Sequence, residues 1–146
     1  MRGGNEVAVF VTRRQGSEIL VCKRCEALGG YWHTIAGGRE PGETSAAAAA
    51  RELEEETTLA ATVRGPITSY IYRLDEEPPE RRALYTPGIR GMHVDCFLVE
   101  APDGWEPELD HEHDTCRWCA PADALALLHW ADTADALRQV LKSTDG

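Results

Sequence analysis

The apolar residues of this chain fall mostly in short β-branched runs, and only a few stretches carry helical spacing. Residues 7–12 and 19–23 are two such runs, separated by Arg13-Arg14-Gln15-Gly16-Ser17, and together they predict a β-hairpin. Residues 31–35 form a short extended piece leading into a glycine loop. From about Ser45 to Thr57 the pattern changes to an alanine run followed by charges, with Leu53 as the apolar contact, which predicts a helix. Residues 62–74 are strand-like, 75–80 are a polar loop, and 82–85 read as a further short strand. A clear strand at 92–100, a loop rich in proline and acids at 101–110 and a strand at 115–120 follow. Pro121 then opens a helix through Leu128, at the position where its missing N–H is tolerated, and residues 133–142 form the last helix. Strands on both sides of one internal helix, with helices at the end, predict an α/β fold with a mixed sheet between helices. The pattern holds no repeat or linker, so a single domain over residues 1–146 is expected.

Charge narrows the partners. With 15 Lys and Arg against 25 Asp and Glu, the net charge is −10, which argues against wrapping a nucleic-acid polymer. A small anionic substrate remains compatible, provided that metal ions and a few local cations offset the field. No run approaches a membrane span, and the N-terminal stretch lacks the apolar core and cleavage site of a signal peptide. A soluble, cytoplasmic protein, monomer or homodimer, is the expectation. The five cysteines, an odd number, read as free thiols. Two pairs, Cys22-x-x-Cys25 and Cys116-x-x-Cys119, have zinc-like spacing. Positions i and i+3 on a strand point to opposite faces, however, so buried unbonded thiols are favoured over a structural zinc.

Chemistry concentrates in residues 37–59, GGREPGETSAAAAARELEEETTL. On a helix Glu52 and Glu56 are four apart and Glu55 is three from Glu52, so these carboxylates share a face while Glu54 points to solvent. Their mutual repulsion would turn into coordination around a hard divalent cation. Read alone, the same run is a solvated acidic helix with Arg51 paired to Glu55. The loop before it shifts the balance, because Gly37, Gly38, Pro41 and Gly42 surround Glu43 and permit close approach to a ligand.

The spacing is Gly37, five residues, Glu43, seven residues, then Arg51-Glu52-Leu53-Glu54-Glu55-Glu56, and it resembles the Nudix box, with Thr58 where the pattern ends in glycine. The resemblance implies the Nudix α/β/α sandwich. Outside the box, Leu84-Tyr85-Thr86-Pro87-Gly88-Ile89-Arg90, the strand 94–98 and Glu112-His113 with Arg117-Trp118 look like the dihydroneopterin triphosphate and dATP pyrophosphohydrolase group, whose members also carry threonine at the box end. The resemblance implies Glu52, Glu55, Glu56 and the Ala36 carbonyl as ligands of Mg²⁺ or Mn²⁺. Glu112 is the distant ligand it implies, with His111, His113 and Asp114 as alternatives nearby. Glu52 and Glu55 are its candidates for proton transfer, and Arg51 orients the box carboxylates while Glu43 braces the loop. Gly37, Gly38 and Arg24 would meet phosphate, Arg24 being equally readable as a solvated arginine. Trp32 would stack on a base or serve as wall. His93 and Trp130 carry no chemistry that the sequence defends. The implied reaction is metal-dependent attack of water on a nucleoside or pterin triphosphate, releasing pyrophosphate. Cleavage of a dinucleoside polyphosphate or ADP-ribose, or a non-catalytic nucleotide-binding role, are the alternatives.

Overall fold

The computed structural model describes residues 3–74, 77, 79–83 and 87–144. Its strands are β1 (Asn5–Arg13), β2 (Glu18–Arg24), β3 (Trp32–His33), β4 (Ile35–Gly38), β5 (Arg64–Arg73), β6 (Gly91–Glu100) and β7 (His113–Cys119). The helices are α1 (Ser45–Thr57), α2 (Pro79–Arg82), α3 (Pro121–Leu127) and α4 (Ala131–Thr144), with one 3-10 turn at Glu26–Leu28.

β1 organises the molecule because it is buried on both faces. Val7, Val9 and Val11 pack with Ala48, Ala49 and Leu53 of α1, whereas Ala8 and Phe10 pack with Ala124 of α3 and Leu137 and Val140 of α4. A strand covered on both sides loses the polar alternation of a half-exposed one, which is why residues 7–11 read as an unbroken apolar run. The result is a mixed sheet between helices, an α/β/α sandwich, as the strand and helix pattern predicts.

The sheet splays into two limbs. β1 pairs with β6 in parallel from Asn5 to Thr12, and β6 pairs with β5 antiparallel. On its other side β1 pairs with β4 through Glu6–Val9 but with β2 only through Thr12↔Ile19 and Arg13↔Glu18. β2 then diverges, carrying β3 and β7 as antiparallel neighbours. One limb is therefore β4-β1-β6-β5 and the other β3-β2-β7, joined at the hairpin.

Two expectations need adjusting. Pro79–Arg82 is helical, so no strand begins at Arg82; Leu84 and Tyr85, with Thr86 of the same motif, lie outside the described residues. The cysteines are all free, but only Cys22, Cys96 and Cys119 are buried, while Cys25 and Cys116 are partly exposed. Cys22 faces Cys116 across β2 and β7, and Cys119 sits opposite Ile19, so the two C-x-x-C pairs do not converge on one tetrahedral point.

α1 fits its sequence closely. Thr44 caps its start by accepting from the Ala47 N–H at 3.1 Å. The alanines bring the helix close to β1 and β4. At the exit Thr58 takes a left-handed conformation, φ 67°, and its N–H donates to the Glu54 carbonyl at 2.9 Å. A β-branched residue there is strained by about 1–2 kcal/mol, and glycine relieves this at an unfolded-state entropy cost of about 0.4–1 kcal/mol. Thr58→Gly is accordingly expected to raise the melting temperature by roughly 2–3 °C; an unchanged or lower value in a thermal melt would show the strain to be absent.

Candidate active site

A cleft of about 970 Å³ opens between the two limbs. One limb and α1 contribute Ala36, Gly37, Gly38, Glu52, Glu55 and Glu56; the other contributes Arg24, His33 and, just before β7, Asp110, His111 and Glu112.

Arg51 organises the acidic end. Its Nε and Nη2 donate to the two oxygens of Glu43 at 2.8 and 3.0 Å, a bidentate pair. The same guanidinium donates to Glu52 at 2.9 Å, to Glu55 at 3.3 Å and to the Gly38 carbonyl at 2.9 Å. Glu43 is held well below the ordinary carboxylate range, to about 2, by the Arg51 hydrogen bonds first and the Glu40 backbone second. One side chain thus ties the glycine loop, the loop acid and two carboxylates of α1 together.

Gly37 is required for the same assembly. A Cβ at this position would overlap the Glu52 carboxyl group, so a larger residue would push that carboxyl out of its place. Glu52 is largely buried, and burial raises its pKa. Glu56, one helical turn on, is 3% exposed, and burial followed by the neighbouring Glu52 pushes its carboxyl up to about 10. Its Oε2 is buried and has no hydrogen-bond partner among the described residues. Ionising a carboxyl at such depth costs free energy, and a divalent cation would hold it as the carboxylate and reverse the sign of the local field. The donors Glu52, Glu55 and Glu56 beside the backbone of Ala36 fit a hard cation in this respect.

Glu112 lines the cleft from the second limb. Its carboxylate lies 3.9 Å from Arg24 Nη2, and its carbonyl accepts from the Cys25 N–H at 2.8 Å. The next residue, His113, turns inward: Nε2 lies 3.6 Å from Glu56 Oε1 and Nδ1 2.9 Å from Asp110 Oδ1. Glu56, Asp110 and His113 form the one group of potential metal-ligating side chains that comes together among the described residues. His113 stands among the alternatives in the sequence, but Asp110 does not, because nothing in a loop of prolines and acids marks one acid as turned inward.

Arg24 lines the cleft with a buried Nε that lacks a partner among the described residues, and its guanidinium lies 5.8 Å from the Tyr31 ring centre. Trp32 does not line the cleft: it packs against the core beneath α3 and α4, with the Arg117 guanidinium 5.1 Å from its ring. Tyr31 and Trp130 line it instead, edge to face at 5.6 Å, with Trp130 39% exposed. Strand alternation explains the exchange, since Tyr31 and Trp32 must face opposite ways.

The family model for the NUDIX domain matches residues 4–140. The octanoyltransferase of Myxococcus xanthus is 32% identical over 142 residues, covering 93% of this chain; the chain spans only 35% of that relative's length. The CTP pyrophosphohydrolase of Escherichia coli K12 is 27% identical over 121 residues, 82% of this chain and 78% of the relative. The dihydroneopterin triphosphate pyrophosphohydrolase of E. coli superposes with a TM-score of 0.82, at 21% identity and 96% coverage of both chains.

His33 supplies a pH test of this geometry. It is buried in the cleft wall without a partner for Nδ1, and burial first, Arg24 second, lower its pKa to about 3 from 6.5. A depressed histidine pKa gives stability that is present above pH 6.5 and is lost as pH falls toward 3, because only the unfolded chain takes up the proton. Denaturant melts from pH 7 to 4 should therefore show a shallower loss of stability in His33→Gln than in the parent. Parallel curves would mean that His33 is charged in the fold.

Proposed function

This chain belongs to the Nudix family, and we propose that it is a divalent-metal-dependent pyrophosphohydrolase cleaving a nucleoside or pterin triphosphate to the monophosphate and pyrophosphate. The chain is an enzyme acting on pyrophosphate bonds. The observation that carries the finer reading is the buried, unpartnered Glu56 oxygen beside Glu52 and Gly37 at one end of a cleft large enough for a nucleotide. The name of the E. coli relative, a CTP pyrophosphohydrolase, supports a nucleoside triphosphate as the substrate class.

The residues divide the work. Glu52, Glu55 and Glu56, with the Ala36 carbonyl, would hold Mg²⁺ or Mn²⁺. Such an ion, when bound, neutralises polyphosphate charge and acidifies the attacking water. Arg51 keeps Glu52 and Glu55 aimed by its hydrogen bonds, and Glu43 fixes Arg51 in turn. Glu52 or Glu55 accepts the proton of the water attacking phosphorus. Arg24, with an unused Nε–H, meets phosphate oxygens from the opposite limb. Tyr31 and Trp130, which line the same cleft, present aromatic surface to the base. In a chain of net charge −10, cations must screen the acidic end before a triphosphate can settle there.

The reading is tested by following pyrophosphate and orthophosphate release from CTP, dATP, 8-oxo-dGTP, dihydroneopterin triphosphate, a dinucleoside tetraphosphate and ADP-ribose with Mg²⁺ or Mn²⁺. Pyrophosphate from a triphosphate is the expected product, with Glu56→Gln slower by about 10²–10³-fold, the worth of several kcal/mol of charge stabilisation. Selective ADP-ribose or dinucleotide cleavage would overturn the substrate class. No turnover with any substrate would overturn the enzymatic reading.

A further inference from the structure

Three observations converge on the junction of α1 and β7, away from the glycine loop. First, Asp110 is itself fixed: its Oδ1 accepts from the Glu112 N–H at 3.1 Å and lies 2.9 Å from His113 Nδ1, and the His113 N–H closes the turn on the Asp110 carbonyl at 3.4 Å. A carboxylate on one ring nitrogen keeps the proton there and leaves the other nitrogen with its lone pair exposed, as in the carboxylate–histidine arrangement that orients metal-binding imidazoles. Second, the free nitrogen, Nε2, points at Glu56 Oε1 across 3.6 Å. That separation exceeds a normal hydrogen bond and approaches the roughly 3 Å between neighbouring ligands whose bonds to one cation are about 2.1 Å. Third, Glu56 Oε2 is buried and unpartnered among the described residues, so contact with His113 alone leaves the carboxylate unsatisfied.

We propose that His113 is a nitrogen ligand of the divalent cation held by Glu56, with Asp110 as its positioning residue, and that this mixed position favours a first-row transition ion over magnesium. The inference rests on the proposed metal-dependent function and specifies its cation. Magnesium prefers oxygen ligands and gives up water reluctantly, whereas imidazole strengthens binding along the series from manganese to cobalt and zinc. A purely oxygen-lined site would lack this discrimination. His113 and Glu56 are both almost wholly buried, so solvent competes little for the two ligand atoms.

Metal-free protein loaded with one equivalent of Mn²⁺ and studied by pulsed electron paramagnetic resonance tests the assignment without any substrate. A ¹⁴N coupling from imidazole is expected in the parent, converted to the ¹⁵N pattern by ¹⁵N-histidine labelling, absent in His113→Asn and retained in His111→Asn. Calorimetric titration should show Asp110→Asn binding Mn²⁺ about 10–100-fold more weakly, the usual effect of removing an orienting carboxylate. It should also show Co²⁺ binding the parent tighter than Mg²⁺ by more than in His113→Asn. If His113→Asn does not fold, the labelled parent still decides. Mn²⁺ bound without nitrogen coupling, and lost in Glu56→Gln, would overturn the His113 ligand while leaving the proposed hydrolase intact. No Mn²⁺ binding by folded parent protein would overturn both.

Discussion

The guanidinium of Arg51 is the constraint on which the cleft depends. Four acceptors from three segments meet on it: the Gly38 carbonyl at the end of β4, Glu43 of the loop, and Glu52 and Glu55 of α1. Lysine could supply the charge but not the fork, because a compact ammonium cannot bind one carboxylate bidentately while serving three further acceptors. The energetic consequence is cooperative. Glu43 stays ionised because Arg51 is there, and Arg51 is immobilised because Glu43 is ionised, so the aim of Glu52 and Glu55 rests on a closed set of hydrogen bonds.

Beneath this lies a sheet whose central strand has no solvent face. β1 holds α1 on one side and α3 and α4 on the other, so the carboxylates of α1 are referenced to the most rigid part of the molecule. Leu53, fully buried, lies on the same helix between Glu52 and the outward Glu54, and its contact with Val7, Val9 and Val11 sets the rotation of the helix about its axis. That rotation is what turns Glu52 and Glu56 inward and leaves Glu54 in water.

Much of this was legible in the sequence, for local reasons. The bounds of α1, Ser45–Thr57, follow from an alanine run followed by charges, with Leu53 as the apolar contact. The fold class follows from the order of strands and helices. What escaped was long-range. Asp110 and His113 meet Glu56 through the pairing of β7 with β2, a contact between residues far apart in the chain. Tyr31 lines the cleft where Trp32 was expected to, for a local reason: the two-fold alternation of a two-residue strand is too short to read, so which neighbour faces the cleft was hidden.

Among the described residues the strand ladder joins the two limbs only at Thr12↔Ile19 and Arg13↔Glu18. This sparse seam has an evolutionary meaning. The limb bearing α1 and the glycine loop brings Glu52, Glu55 and Glu56 to the cleft, while the limb of β2, β3 and β7 brings Arg24, Tyr31 and His33. Substitutions at Arg24 or Tyr31, which alter what the cleft meets, leave the strand pairing of the first limb intact. Such a scaffold can diversify what it accepts, provided that the Glu56–His113 contact joining the limbs is kept.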